Sequence, residues 1–72
     1  MAPSTYVIGI DVGGTHIRIG AVDASGAVLR HQILSSRQYL TLPDPMGALV
    51  ERIATFRDET PGQARGVCIG IP

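Results

Sequence analysis

The sequence predicts an α/β fold in the order β-β-β-α-β, on three observations. Tyr6-Val7-Ile8-Gly9-Ile10 is a nearly continuous apolar run rich in β-branched residues. Residues 16–22 alternate at period two and run into an Asp-Ala-Ser-Gly turn. Between Pro45 and Pro61-Gly62 the apolar residues keep the spacing of one helical face, and a second apolar run, residues 67–71, follows.

Each element has its own justification. The run over residues 6–10 suits a central strand buried on both faces. In the second strand Ile17, Ile19 and Ala21 share one face, and Asp23-Ala24-Ser25-Gly26 then turns the chain, because short polar side chains bond locally and glycine accepts positive φ. Residues 27–34 form a third strand antiparallel to the second. Residues 35–44 hold Pro43 and show no clear period, so a connecting loop is expected there. Asp44 is placed to cap a helix with Pro45 at its first position, and Met46, Leu49, Val50, Ile53, Ala54 and Phe56 should pack on the sheet. The helix should end before Pro61-Gly62. Residues 67–71 then form the fourth strand, with a right-handed crossover expected if it returns parallel to the first.

Composition narrows the function. The 72 residues suffice for one small domain, and a chain this short buries only about 60% of the surface its unfolded form exposes. With 44% hydrophobic residues, 17% charged residues and zero formal net charge, neither disorder nor a polyanion-binding surface is indicated, and nucleic acid is not an expected partner. No apolar run approaches the ~18 residues of a membrane span, and residues 1–5 lack the features of a signal peptide, so no membrane association and a cytoplasmic location are expected. The single cysteine, Cys68, has no partner for an intramolecular disulfide, and within Val67-Cys68-Ile69 it is expected to be a small core residue.

The stretch that carries chemistry is Gly9-Ile10-Asp11-Val12-Gly13-Gly14-Thr15, between the first two strands. Glycines at a tight turn let backbone N–H groups approach phosphate oxygens and permit conformations closed to other residues. Thr15 adds a hydroxyl. Asp11 is unsuited to naked phosphate, both being anionic, but it can hold Mg²⁺ or its water shell while the metal bridges the phosphates. Two familiar glycine loops are excluded: Gly9, Gly13 and Gly14 do not match G-x-G-x-x-G before a helix, and the chain has no lysine for a P-loop, all six basic residues being arginine. On local residues alone, a plain glycine-rich hairpin with Asp11 bonding the backbone fits as well.

Taken with its flanks, the segment from Val7 through Asp11-Val12-Gly13-Gly14-Thr15-His16-Ile17-Arg18 to Gly20 resembles the first phosphate motif of the ROK family of repressors, open reading frames and sugar kinases. Gly66-Val67-Cys68-Ile69-Gly70-Ile71-Pro72 resembles the same family's strand leading to the sugar cleft. The resemblance implies an actin-like ATPase fold with a ribonuclease H-like core, of which residues 1–72 would be the first part of the N-terminal nucleotide-binding lobe, the remainder lying outside the chain. It implies ATP and Mg²⁺ as cofactors, with Asp11 at the metal, directly or through water, and Gly13, Gly14 and Thr15 along the phosphates beside His16. Gly70 would lie near the sugar. Where family members more often carry lysine, this chain has His16, as bacterial glucokinases and allose kinases depart from lysine; a ring simply in solvent at the start of the strand is the plainer reading of His16. Arg18 is either a solvated strand residue or part of the cleft, and His31 is expected at the surface.

The function implied is transfer of the γ-phosphoryl of ATP to a hexose hydroxyl. The aspartate that acts as general base in such kinases has no counterpart here, nor have the second phosphate loop, the adenosine pocket, the sugar-binding glutamate and histidine or the cysteine-rich zinc motif. No catalytic residue is therefore assigned, and the 72 residues alone are expected to be inactive. The small-molecule partner would be a sugar, with an aldohexose favoured by Thr15-His16-Ile17-Arg18, and a homodimeric parent is left open. Two alternatives stand beside the kinase: a sugar-sensing transcriptional regulator, for whose DNA-binding segment the ~10 residues before the motif leave no room, and another actin-like ATPase, whose first loop resembles D-x-G-T or D-x-G-S more than Gly13-Gly14-Thr15.

Overall fold

The computed structural model describes residues 5–70. Strands β1 (Thr5–Val12), β2 (His16–Asp23) and β3 (Val28–Ser35) come first, then helices α1 (Ser36–Leu40) and α2 (Pro45–Glu59), and finally strand β4 (Gln63–Gly70). The sheet order is β3-β2-β1-β4. β1–β2 and β2–β3 are antiparallel, and β4 returns parallel to β1 after the helices. The segment 67–71 was expected as the last strand; pairing along β1 extends it back to Gln63, while Ile71 and Pro72 lie outside the described residues.

The turn between β2 and β3 forms for the reason its composition suggests. The Asp23 carboxylate accepts from the Ser25 hydroxyl at 2.6 Å, the Ser25 N–H at 2.9 Å and the Ala27 N–H at 3.0 Å. Gly26 sits at φ +87°, which a side chain would resist. Helix α2 is closed at both ends as expected. Asp44 Oδ1 accepts the Gly47 N–H at 3.0 Å, and the buried Thr60 hydroxyl donates to the Phe56 carbonyl at 2.6 Å before Gly62 turns the chain away at φ +107°.

Tyr6, Ile8 and Ile10 of β1, Ile17, Ile19 and Ala21 of β2, and Leu49 and Phe56 of α2 form the core. Phe56 and Ile19 are wholly inaccessible. Arg30 of β3 lies over the Phe56 ring, 5.6 Å from its centroid, and shares Glu59 with Arg52 at 3.4 and 2.9 Å, which ties β3 to α2. No helix among the described residues is long and apolar enough to cross a membrane.

Four expectations are corrected. Residues 35–44 are not all loop: Ser35 caps a five-residue helix by accepting the Gln38 N–H at 3.3 Å, an element too short for apolar periodicity to register. β1 is buried on one face rather than two, since α2 and Tyr39 of α1 pack on the side of Ile8 and Ile10, leaving Val7 49% exposed and Asp11 exposed on the other. The α2 stripe is wider than the surface it covers: Leu49 and Phe56 are buried, but Met46 and Val50 are exposed beside gaps that separate the helix from Ile69 and Val67 of β4. Cys68 is exposed rather than in the core, because β4 is the edge strand and the neighbouring β1 position is Gly9, which has no side chain to cover it.

Candidate functional site

The site begins where β1 and β2 separate. Strand alternation puts Asp11 on the face away from α2, directly across from Arg18 of β2 and Gly70 of β4. The same face carries Gly9 opposite Gly20, and the two missing side chains leave an open concavity of about 520 Å³ bordered by Asp11, Arg18, His31 and Gly70. Asp11 and Arg18 are both exposed, and no ion pair among the described residues involves either.

Beyond Val12 the chain reverses through Gly13, Gly14 and Thr15. The Gly13 N–H donates to the His16 carbonyl at 2.9 Å, closing the turn. The Gly13 carbonyl accepts the Ser36 hydroxyl at 2.7 Å, and the Thr15 carbonyl accepts the Ser36 N–H at 3.1 Å. The backbone N–H groups of Gly14 and Thr15 and the Thr15 hydroxyl have no partner among the described residues. Gly14, Thr15 and His16 are exposed.

The expected reason for the two glycines is revised by this geometry. Neither Gly13 nor Gly14 has positive φ, so a forbidden backbone conformation is not what selects them. At Gly13 a Cβ would meet the His16 carbonyl oxygen at 3.0 Å, a tight contact that the turn relieves only by shifting that carbonyl. At Gly14 nothing lies within 4 Å of the corresponding position. The fold does not require glycine there, and the space above that peptide is open to a ligand.

Sequence reasoning named Asp11, Gly13, Gly14, Thr15, His16 and Gly70. The structure brings Asp11 and Gly70 together in register at the concavity and sets residues 13–16 at the adjoining turn, outside the concavity's lining. Ser36 was missed. It is wholly buried against the turn, yet lies 23 residues from Gly13 within a segment that shows no period.

No group of three or more His, Cys, Asp or Glu side chains suited to hold a metal occurs among the described residues. A lone exposed carboxylate fits Mg²⁺ held partly by water and by phosphate oxygens better than it fits an all-protein cage.

The family model described as ROK family matches residues 7–72, covering the turn, the concavity and β4. The chain belongs to the ROK family. Searches of curated proteins and of solved structures returned no match. The ROK family includes sugar kinases and repressors, and the four-stranded mixed sheet with its helices is compatible with the N-terminal part of the ROK actin-like fold. In this ROK chain, both segments that carried the resemblance fall within the matched span.

Proposed function

We propose that this chain forms the opening part of the nucleotide-binding lobe of an ATP- and Mg²⁺-dependent sugar kinase, which phosphorylates a hexose hydroxyl. The observation that carries the proposal is the succession of an unpaired exposed carboxylate, Asp11 near the end of β1, and, at the adjoining turn, two unpartnered N–H groups, a free Thr15 hydroxyl and open space above Gly14. Such donors suit phosphate oxygens, and a carboxylate beside them suits the accompanying cation rather than the anion. When bound, Mg²⁺–ATP supplies the phosphoryl group and a divalent charge that offsets the charge on the phosphates.

The chain's own residues then divide the work. Gly14 and Thr15 donate to phosphate oxygens, Asp11 accepts from metal-bound water or ligates the metal, and His16 begins β2 at the rim. Gly70 adjoins Asp11 across the β1–β4 pair; a Cβ there would lie 3.8 Å from the Ile10 carbonyl, an ordinary contact, so the fold leaves this glycine free to serve a ligand. The general base toward the sugar hydroxyl is assigned to a part of the complete polypeptide outside these residues.

The test is coupled-assay ADP release by the complete polypeptide across a panel of hexoses, with Asp11→Asn alongside. Sugar-dependent turnover that collapses in Asp11→Asn is expected. Tight sugar binding without turnover on any hexose would sink the kinase proposal in favour of a regulator.

A further inference from the structure

We propose that Ser36 is a positioning residue that aims the phosphate-binding N–H groups of the 13–15 turn, an inference that rests on the nucleotide site proposed above. Ser36 is 0% exposed and grips the turn twice, its hydroxyl on the Gly13 carbonyl at 2.7 Å and its N–H on the Thr15 carbonyl at 3.1 Å. A trans peptide is planar, with its C=O and N–H pointing in opposite directions. Holding the Gly13 carbonyl toward Ser36 therefore turns the Gly14 N–H away from Ser36. The other side of Gly13 is fixed as well, because its N–H is spent on the His16 carbonyl at 2.9 Å. One hydrogen bond thus orients the Gly13–Gly14 peptide directly, and two more fix the peptides on either side of the turn, where the Gly14 and Thr15 N–H groups remain unpartnered and the space outside Gly14 is open.

The helix does not need the Ser36 hydroxyl. Ser35 performs the capping of α1, accepting the Gln38 N–H at 3.3 Å, so adjacent serines divide two tasks: one starts the helix and its neighbour holds the turn. A donor fixed before its ligand arrives avoids the ordering cost of binding, which is how a residue that never touches phosphate can raise affinity for it.

The experiment compares wild type, Ser36→Ala, Ser36→Cys and Thr60→Val, each in the complete polypeptide, by thermal melting, amide NMR and calorimetric titration with Mg²⁺–ATP. Thr60→Val is the matched control, since it too removes a buried hydroxyl that donates to a backbone carbonyl, at 2.6 Å, but far from the turn in sequence. Ser36→Ala is expected to shift the Gly14 amide resonance and weaken Mg²⁺–ATP binding about tenfold, equivalent to ~1.4 kcal/mol. Ser36→Cys, which keeps the volume with a weak donor, should fall between Ser36→Ala and wild type, and Thr60→Val should bind as wild type does. Equal affinity in Ser36→Ala and wild type would overturn the inference, as would equal losses in Ser36→Ala and Thr60→Val. If wild type itself does not bind Mg²⁺–ATP, the nucleotide site is refuted and this inference falls with it, whereas Mg²⁺–ATP binding that Ser36→Ala leaves intact refutes the positioning alone.

Discussion

The two glycines of the turn should respond in opposite ways to the same added methyl group. In Gly13→Ala the new Cβ meets the His16 carbonyl oxygen at 3.0 Å, and that oxygen also accepts the Gly13 N–H at 2.9 Å, so relieving the contact stretches the hydrogen bond that closes the turn. Overpacking of this kind costs about 1–3 kcal/mol, and a weakened hydrogen bond adds ~1 kcal/mol. Reduced freedom of the unfolded chain returns about 0.4–1 kcal/mol. The net expectation is a loss of about 2 kcal/mol, which in a domain of this size lowers Tm by roughly 10 °C. Gly14→Ala meets nothing within 4 Å, so its stability should stay within about 0.5 kcal/mol of wild type. Its methyl group instead occupies the space from which phosphate would approach, and Mg²⁺–ATP affinity should fall about tenfold, or ~1.4 kcal/mol. Urea denaturation followed by circular dichroism, with calorimetric titration on the same samples, measures both. A Gly13→Ala protein as stable as wild type would refute the steric reasoning, and a Gly14→Ala protein that binds as tightly as wild type would refute the assignment of that open space to phosphate.

Two further outcomes test the fold that holds the turn. Phe56→Ala removes the wholly buried ring that joins α2 to β1 and β2 and on which Arg30 lies, and should cost about 3–5 kcal/mol of the roughly 4–11 kcal/mol expected for a chain of this length, a large drop in the urea midpoint followed by circular dichroism. The Ser25 hydroxyl, with the Ala27 N–H next in importance, holds the Asp23 carboxyl below its ordinary pKa of 3.8. Because the folded value lies below the unfolded one, the turn's contribution is complete above about pH 3.8 and disappears as pH falls through the lowered value. The Ser25 and Ala27 amide resonances should accordingly titrate with a midpoint below 3.8, and a midpoint at or above it would contradict the hydrogen bonding.

What the sequence made legible was whatever a short window determines. The alternation of Ile17, Ile19 and Ala21, the Asp23–Gly26 turn and the Asp44–Pro45 start of α2 each follow from a few neighbouring residues, and each is found in place. Misplaced features depend on long-range partners. Cys68 and Val67 lie in an apolar run that a buried strand would also show; only the sheet order reveals β4 as an edge, with α2 set off from it. α1 spans too few residues for a period to emerge. Asp11, Gly14 and Thr15 could be chosen from their chemistry, but the distinction between Gly13, where a Cβ is crowded, and Gly14, where it meets nothing, needs the position of one carbonyl oxygen. Ser36 could not be found at all without the 23-residue contact that buries it.

The most direct test of the central claim, that the turn after β1 is a Mg²⁺–nucleotide site, is calorimetric titration of the complete polypeptide with ATP, with and without Mg²⁺, in wild type and Asp11→Asn. Binding that strengthens with Mg²⁺ in wild type and loses that dependence in Asp11→Asn, with the melting temperature unchanged, is the expected result. Binding indifferent to Mg²⁺, or an Asp11→Asn protein that keeps the full Mg²⁺ dependence, would contradict it.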